Sequence, residues 1–561
     1  MPITPDEHQL RQELDQMVKG LRSERDTMLP LWRDVSDYLL PRRSRFLFDQ
    51  IRRGEEFSSS IIDGTAVRAH RNFAAGLMTQ LASPAQRWIR LMARAYDLNE
   101  KAGVRLWLEE VVTRFLAVCR GSNWYPQLHT LFGDTGGFGT GAMSIVDHPT
   151  RVIQTHALPA GSYLIDVNEY FLVDTLIREV QFTVRQLVRK FGLEQCSTDV
   201  QNAWREKLFY GPVRVLHAVS PNDDLDPGQL PTGRNKRFRS VWWEEGSNDV
   251  EGLLAQGGFD EFPYVVPRWE VKGEDTWGYG PGIDALPDIK QLQTMAKRKA
   301  QLVEKKVNPP LQGPSSLKTE PVSLLPAKVN FVDVHQGQQG LQPVHEVDIN
   351  LSDFNADIEA TRQAVREAFY EDLFLVALAS DRRQITATEV EEKRDEKMMM
   401  LGPAVTRMDP DLFTPGVARV LAIMNRRGML PPVPPELEGQ ELEVEQISSL
   451  ARYQKMAGTA GMERFFWFVG SAAQLNEEAV DIVDFDDTVR RYGEMVGMPE
   501  DSLLGPEAVA QRRQQRQQER QAAMAVEAAP KVADAAQRLS DTDLSNDSAL
   551  RRMTEQELPQ A

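Results

Sequence analysis

Apolar side chains recur three or four residues apart over 283–307, at Leu286, Ile289, Leu292, Ala296, Ala300, Val303 and Val307, the spacing of a single buried stripe on a helix. Pro287 suits the first turn, Asp284 and Asp288 suit its positive end, Lys305 and Lys306 suit the other end, and Pro309 and Pro310 stop the run. At about 1.5 Å per residue this is a strut of roughly 37 Å. The same period resumes over 351–373 through Leu351, Phe354, Ile358, Val365, Phe369 and Leu373, so two struts flank one insert. The insert, 308–350, carries Pro309, Pro310, Pro314, Pro321 and Pro326 and a strand-like run at 327–334, the composition of a small β unit with too little core to stand alone. Pairing with the same unit of another copy would stabilise it.

After the second strut, Ser380, Asp381, Arg382, Arg383 and Gln384 interrupt the apolar pattern as a short loop with a cationic tip. Thr386 and Glu389 have capping-box spacing, and the helical pattern continues to about 427 through Met398, Met399 and Met400, read as core filler. A proline-rich linker follows at 431–440. The stretch 441–508 reads as helical, with an aromatic run at 465–468 that one helix cannot bury by itself. From 509 onward the chain is rich in Gln and Arg, then in small polar residues, the pattern of a solvated helix followed by disorder.

Toward the N-terminus, 4–40 is helical in pattern, with Leu31, Val35, Tyr38 and Leu39 on one face and Pro41 at the end. Arg42, Arg43, Arg45, Arg52 and Arg53 follow as a solvated basic loop. A helix is predicted within 63–91, with Ala66, Ala69, Phe73, Leu77 and Leu81 on one face and Pro84 closing it. The glycine-rich stretch 133–141 superficially suits a phosphate cradle. It lacks both the Lys-Ser/Thr of a P-loop and the G-x-G-x-x-G spacing, and reads instead as a glycine turn leading into a strand at 142–148. Short strands are predicted within 151–187, at 214–220 and at 240–245, with a helix ending at Gly192. Residues 262–271 form a β-type run whose two prolines place it at an edge or a crossing. The fold class is α+β.

A chain of 561 residues with 41% hydrophobic content can bury sizeable cores and is expected to form two to four domains. No apolar run reaches the length of a membrane span, and the N-terminus lacks the layout of a secretory signal, so a cytosolic product without membrane contact is expected. Cys119 and Cys196 read as buried apolar residues, and neither His70 nor any other of the eight histidines forms a metal pair. Asp481, Asp484, Asp486 and Asp487 read as a solvated turn rather than a magnesium site. No catalytic constellation, metal or cofactor is expected.

The formal charge of −17 opposes a tight grip on nucleic acid but is compatible with a channel along which DNA slides. Against that background, 284–307 holds six basic and three acidic residues. Two readings of Lys290, Lys297 and Lys305, together with Arg382 and Arg383, stay open. They make weak, sequence-independent contacts with duplex phosphates, or they solvate a helix face and pair with adjacent subunits.

The stretch WGYGPGIDALPDIK at 277–290, the double proline at 309–310, TATEV at 386–390 and the helix within 63–91 together resemble the head-to-tail connecting (portal) proteins of short-tailed bacteriophages. The likeness covers most of 25–430. It implies a predominantly helical α+β portal fold: N-terminal helices and an α/β wing over 1–282, a first stem helix over 283–307, a small β-containing clip over 308–350 and a second stem helix over 351–373. A tunnel loop over 374–386 containing Ser380 to Gln384 would follow, then a wing helix over 387–430, a helical crown over 431–508 and a tail over 509–561. The resemblance further implies a dodecameric homo-oligomeric ring at one capsid vertex of the virion, made in the host cytoplasm. Double-stranded DNA would pass through it, and the terminase large subunit, major capsid and scaffolding proteins and tail adaptor or nozzle proteins would bind it. On this reading the chain hydrolyses nothing. The competing readings are a non-channel scaffold or tail adaptor and, disfavoured by the missing P-loop, a packaging ATPase or nuclease.

Overall fold

The computed structural model describes residues 5–41, 43, 60–99, 101–226, 228–230, 233–246, 253–313, 323, 328, 342–344, 351–376, 402–447, 459–473, 483–496 and 508–521. The chain forms two units, Met1–Ala457 and Gly458–Ala561.

In the first unit, five strands follow one another as an antiparallel meander: Tyr163–Val167, Val173–Thr183, Pro212–Pro221, Phe238–Glu244 and Leu253–Phe259. Alternation sorts their side chains between two faces. Leu164, Ile177, Leu216, Ala218, Val241 and Trp243 pack under Leu10, Leu14, Val18 and Leu21 of the N-terminal helix Pro5–Tyr38. Arg22 and Arg25 of that helix pin it by pairing with the buried Glu179 at 2.7 and 3.0 Å. On the opposite face, Tyr163, Ile165, Leu176 and Val219 join the main core, whereas Val215 packs with the short helices Val184–Phe191 and Thr198–Arg205. Thr183 and Gln186 form a reciprocal capping box at the start of the first of these helices, and Gly192, with φ 88°, ends it. A second sheet places Ala142–His148 between Val152–Leu158 and Tyr264–Val265. The proline-flanked run at 262–271 thus supplies an edge strand, where a missing N–H does no harm.

The main core gathers the helices Thr65–Leu81, Ala102–Gly121 and Trp124–Phe138 around Phe73, Phe115, Trp124 and Phe132. Two sequence-based expectations need correction. Residues 133–138 are not a turn but the last turns of Trp124–Phe138, and only Gly139, with φ 83°, is left-handed. The glycines serve close approach instead: a side chain at Gly136 would strike Phe73 and one at Gly137 would strike Leu40. Nor is the stretch from 441 helical at its start. Leu442–Gln446 is a strand paired antiparallel with Ile89–Ala93, and it follows a single 3-10 turn, Pro435–Leu437, in the supposed linker. Val444 packs on the core while Glu445 pairs with Arg90, a period of two that five residues are too short to announce.

In the second unit, the helices Thr459–Ala473 and Phe485–Val496 meet through Phe466 and Phe485, whose ring centroids lie 5.7 Å apart, and 508–521 is a further helix tied to the second by the Arg513–Asp486 pair. Phe465, Trp467 and Phe468 of the aromatic run are exposed. Asp484 accepts from the Asp487 N–H and Asp487 pairs with Arg491, so these carboxylates cap and brace a helix. Asp481 lies outside the described residues.

Candidate functional site

Two glycine segments interlock at the root of the first strut. Gly278, Gly280 and Gly282 lie directly against the backbone of Gly139, Thr135–Gly136 and Gly137, close enough that a Cβ at any of the three would collide with main-chain atoms. The Gly278 N–H donates to Thr140 Oγ1 at 2.8 Å and the Trp269 N–H to the Gly139 carbonyl at 2.9 Å. Beside them Trp277 meets Trp32 edge-on with centroids 4.8 Å apart. From this seat the chain makes the short turn Pro281–Asp284 and then the helix Leu286–Val307. The strut expected over 283–307 therefore starts in two steps, and its 22-residue main part is about 33 Å long.

Only the near half of its apolar stripe is covered. Leu286, Ile289 and Leu292 are buried, as is Leu302 further on, whereas Val303 is 41% and Val307 79% exposed. Gln293 supplies a polar anchor in the buried half. Its Oε1 accepts from the N–H groups of Ile62 and Asp63 at 2.7 and 2.8 Å, and its Nε2 donates to the Asp63 carbonyl at 2.9 Å. The Asp63 carboxylate accepts from the Thr65 N–H at 2.8 Å and from Arg362 Nη2 and Nε at 2.7 and 3.0 Å. Burial opposes its ionisation, but the bonds from Thr65 and Arg362 outweigh this and hold the carboxyl below its ordinary pKa.

Arg362 belongs to the second strut, Leu351–Ala368, which packs along the first and buries Ile358 and Val365. The helix expected over 351–373 breaks after Ala368. Phe369 is buried, Tyr370 is left-handed at φ 54°, and Glu371–Val376 turns back onto Thr65–Leu81, where Asn72 donates to Glu371 at 2.6 Å.

The strut cations fall into two environments. Lys290 Nζ lies 2.6 Å from Asp34 Oδ2 and 5.7 Å from the Tyr38 ring, so it ties the strut root to the N-terminal helix. Lys297 and Lys305 are exposed and make no ion pair or hydrogen bond among the described residues. Arg382 and Arg383, with Ser380, Asp381 and Gln384, lie outside the described residues, as do the Thr386–Glu389 capping pair, the Met398–Met400 run and most of 308–350, from which only the paired Leu311–Gln312 and Gln342–Pro343 are described as strands.

Some polar groups of structural weight escaped the sequence reading. Arg43, taken as part of a solvated loop, donates from Nε to the buried Asp134 carboxylate at 2.7 Å. Arg268 and Asp411 form a fully buried pair at 3.1 Å. An aspartate beside glycines inside an apolar helix was the one available signal for the former; partners 91 and 143 residues apart leave no local trace. His70 is buried and donates from Nε2 to the Gly133 carbonyl at 2.7 Å. Among the described residues no cluster of potential metal ligands occurs, and no helix is long and apolar enough to cross a membrane.

The family model described as bacteriophage head to tail connecting protein matches residues 11–504. The chain belongs to that family. It is 38% identical over 541 residues to the portal protein of Salmonella phage epsilon15, with 96% of this chain and 97% of the relative covered. To the probable portal protein of Bordetella phage BPP-1 it is 37% identical over 534 residues, with 95% and 96% covered. Among solved structures, a chain from the neck of an empty GTA particle computed with C6 symmetry aligns at a TM-score of 0.33 and 11% identity, over 78% of this chain and 94% of that one.

Proposed function

We propose that this member of the head-to-tail connecting family acts as a portal subunit: a dodecameric ring at one capsid vertex of the virion, through which double-stranded DNA enters and leaves. The observation that carries this reading is the near-full-length identity to two phage proteins named as portal or probable portal proteins. The half-covered stripe of the first strut supports it, because among the described residues nothing covers Val303 and Val307, and a neighbouring copy would give them a dry environment. The two struts form the stem, 308–350 the clip, 377–386 the tunnel loop and the helices from Thr459 onward the crown, since Glu371–Val376 is helical and Leu442–Gln446 pairs with Ile89–Ala93. Lys297 and Lys305, with Arg382 and Arg383 in the loop, touch passing phosphates weakly and without sequence preference, while Lys290 holds the stem root. The terminase large subunit and the tail adaptors dock on the ring, capsid and scaffolding proteins surround it, and the chain itself performs no catalysis.

Native mass measurement with negative-stain imaging of the purified full chain tests this. A closed ring with a central hole wide enough for a duplex is expected. A monomer or small solid oligomer that persists across salt and protein concentration would transfer the assignment to a scaffold or tail-adaptor component.

A further inference from the structure

One face of the five-stranded sheet carries a row of basic groups that no carboxylate among the described residues answers. Tyr163, Arg178, His217 and Trp242 are successive cross-strand partners, so their side chains stand on the same face. The His217 ring stacks on Trp242, with centroids 3.8 Å apart and planes 9° from parallel, and hydrogen-bonds to Ser240 Oγ at 2.9 Å and to the Tyr264 hydroxyl at 3.1 Å. The Tyr264 hydroxyl also bonds to Arg178. The Lys190 amine, from the helix Val184–Phe191, sits 3.5 Å from the Trp242 ring centroid, with the Phe182 and Phe191 rings at 5.2 and 5.0 Å. His156, on the neighbouring three-stranded sheet, also feels the charge of Arg178.

The charges acting within this row are all positive. Burial first, and then Arg178, pull down the proton affinities of His156, of Lys190 (to about 8) and of His217. Elsewhere five enclosed guanidinium groups are answered internally by a carboxylate: Arg25 by Glu179, Arg43 by Asp134, Arg268 by Asp411, Arg362 by Asp63 and Arg419 by Glu261. Arg178 and Lys190 have no such partner among the described residues. Lys190 and His156 are exposed as whole residues although their titrating ends are half-enclosed, and Arg178 is half-buried, so the row keeps an open side for an incoming group.

We propose that Arg178 and Lys190 form a docking site for a carboxylate side chain of a second copy of this chain. Each copy carries 82 acidic against 65 basic residues, so its neighbour always has carboxylates in surplus. A contact between this row on one copy and an acidic position elsewhere on the next is heterologous, the kind of contact that repeats around a ring. A nucleic acid backbone is the poorer occupant, because its successive phosphates call for a run of cations, whereas one carboxylate needs only the two present. The inference rests on the ring reading above.

The test compares the full-length wild type with the Arg178→Glu/Lys190→Glu double variant and with Lys190→Arg, by native mass across a concentration series. The wild type and Lys190→Arg should assemble alike, and the double variant should need at least about tenfold more protein for half-assembly. Acetylation of Lys190, read by peptide mass in the wild type alone, should proceed in separated subunits and be lost on assembly, which decides the matter even where the double variant misfolds. Rings from the double variant at the wild-type concentration, or Lys190 labelled equally in both states, would overturn the docking site and leave the portal reading standing. A wild type that never closes into rings would overturn both.

Discussion

His70 and Asp134 flank one backbone position, Gly133, and their protonation pulls stability in opposite directions. Burial of the His70 ring, which donates to the Gly133 carbonyl, lowers its pKa from 6.5 to about 4. The unfolded chain takes up that proton more readily, so the contribution of the neutral ring is full above pH 6.5 and is lost as pH falls toward 4. Asp134 behaves inversely: burial outweighs the bonds from Arg43 and pushes its carboxyl from 3.8 up to about 6. Its contribution is full below pH 3.8 and is lost as pH rises through about 6. Each swing is worth about 3 kcal/mol, and between pH 4 and 6 the two oppose each other. Removing either should expose the other. Relative to wild type, His70→Gln should melt at progressively lower temperature as pH rises from 4 to 6, and Asp134→Asn at progressively higher temperature, in calorimetry of the full chain. Melting curves that track wild type in parallel across this range would refute the assignment.

Between elements, the closest packing is glycine against glycine, where 136–139 receives 278–282. Gly139→Ala would add a Cβ at φ 83° against the Gly278 carbonyl, a collision with backbone that no rotamer relieves, and the soluble fold should be lost. Gly20→Ala, inside Pro5–Tyr38 with open space around it, should raise stability by about 1 kcal/mol, seen as a higher melting temperature. The contrast marks what the sequence alone could reveal. The stripe through Leu286, Ile289 and Leu292 and the face of Thr65–Leu81 were legible because one buried face leaves a 3.6-residue period. The glycines at 133–139 were misread as a turn because their role is defined by neighbours some 60 to 140 residues away. The break at Tyr370 carries no glycine or proline to announce it, and the strand Leu442–Gln446 hides its period among glutamates. At the candidate site, the basic surplus of the strut was legible, whereas the Asp34 partner that sets Lys290 apart comes from 256 residues away.

For the whole molecule, the tension to resolve is an acidic chain with a basic strut. A net charge of −17 opposes adhesion of DNA, so on the portal reading proposed above a phosphate contact would be local, weak and repeated by symmetry rather than strong in one subunit. Lys297 and Lys305 meet that description because they are exposed and without partners among the described residues, so reversing them removes no contact described within the subunit. Lys290 does not, since its charge is engaged by Asp34 with both side chains about two-fifths exposed, a pair worth less than about 1 kcal/mol. The Lys297→Glu/Lys305→Glu chain should therefore melt and assemble as wild type does, yet particles built with it should hold less DNA, and the deficit should shrink at higher salt as phosphate repulsion is screened. Lys290→Glu should lower the melting temperature slightly and leave DNA per assembled particle unchanged. Equal DNA content in all three, measured per particle over a salt series, would show that the exposed cations of the strut serve solvation or subunit pairing and not the passage of DNA.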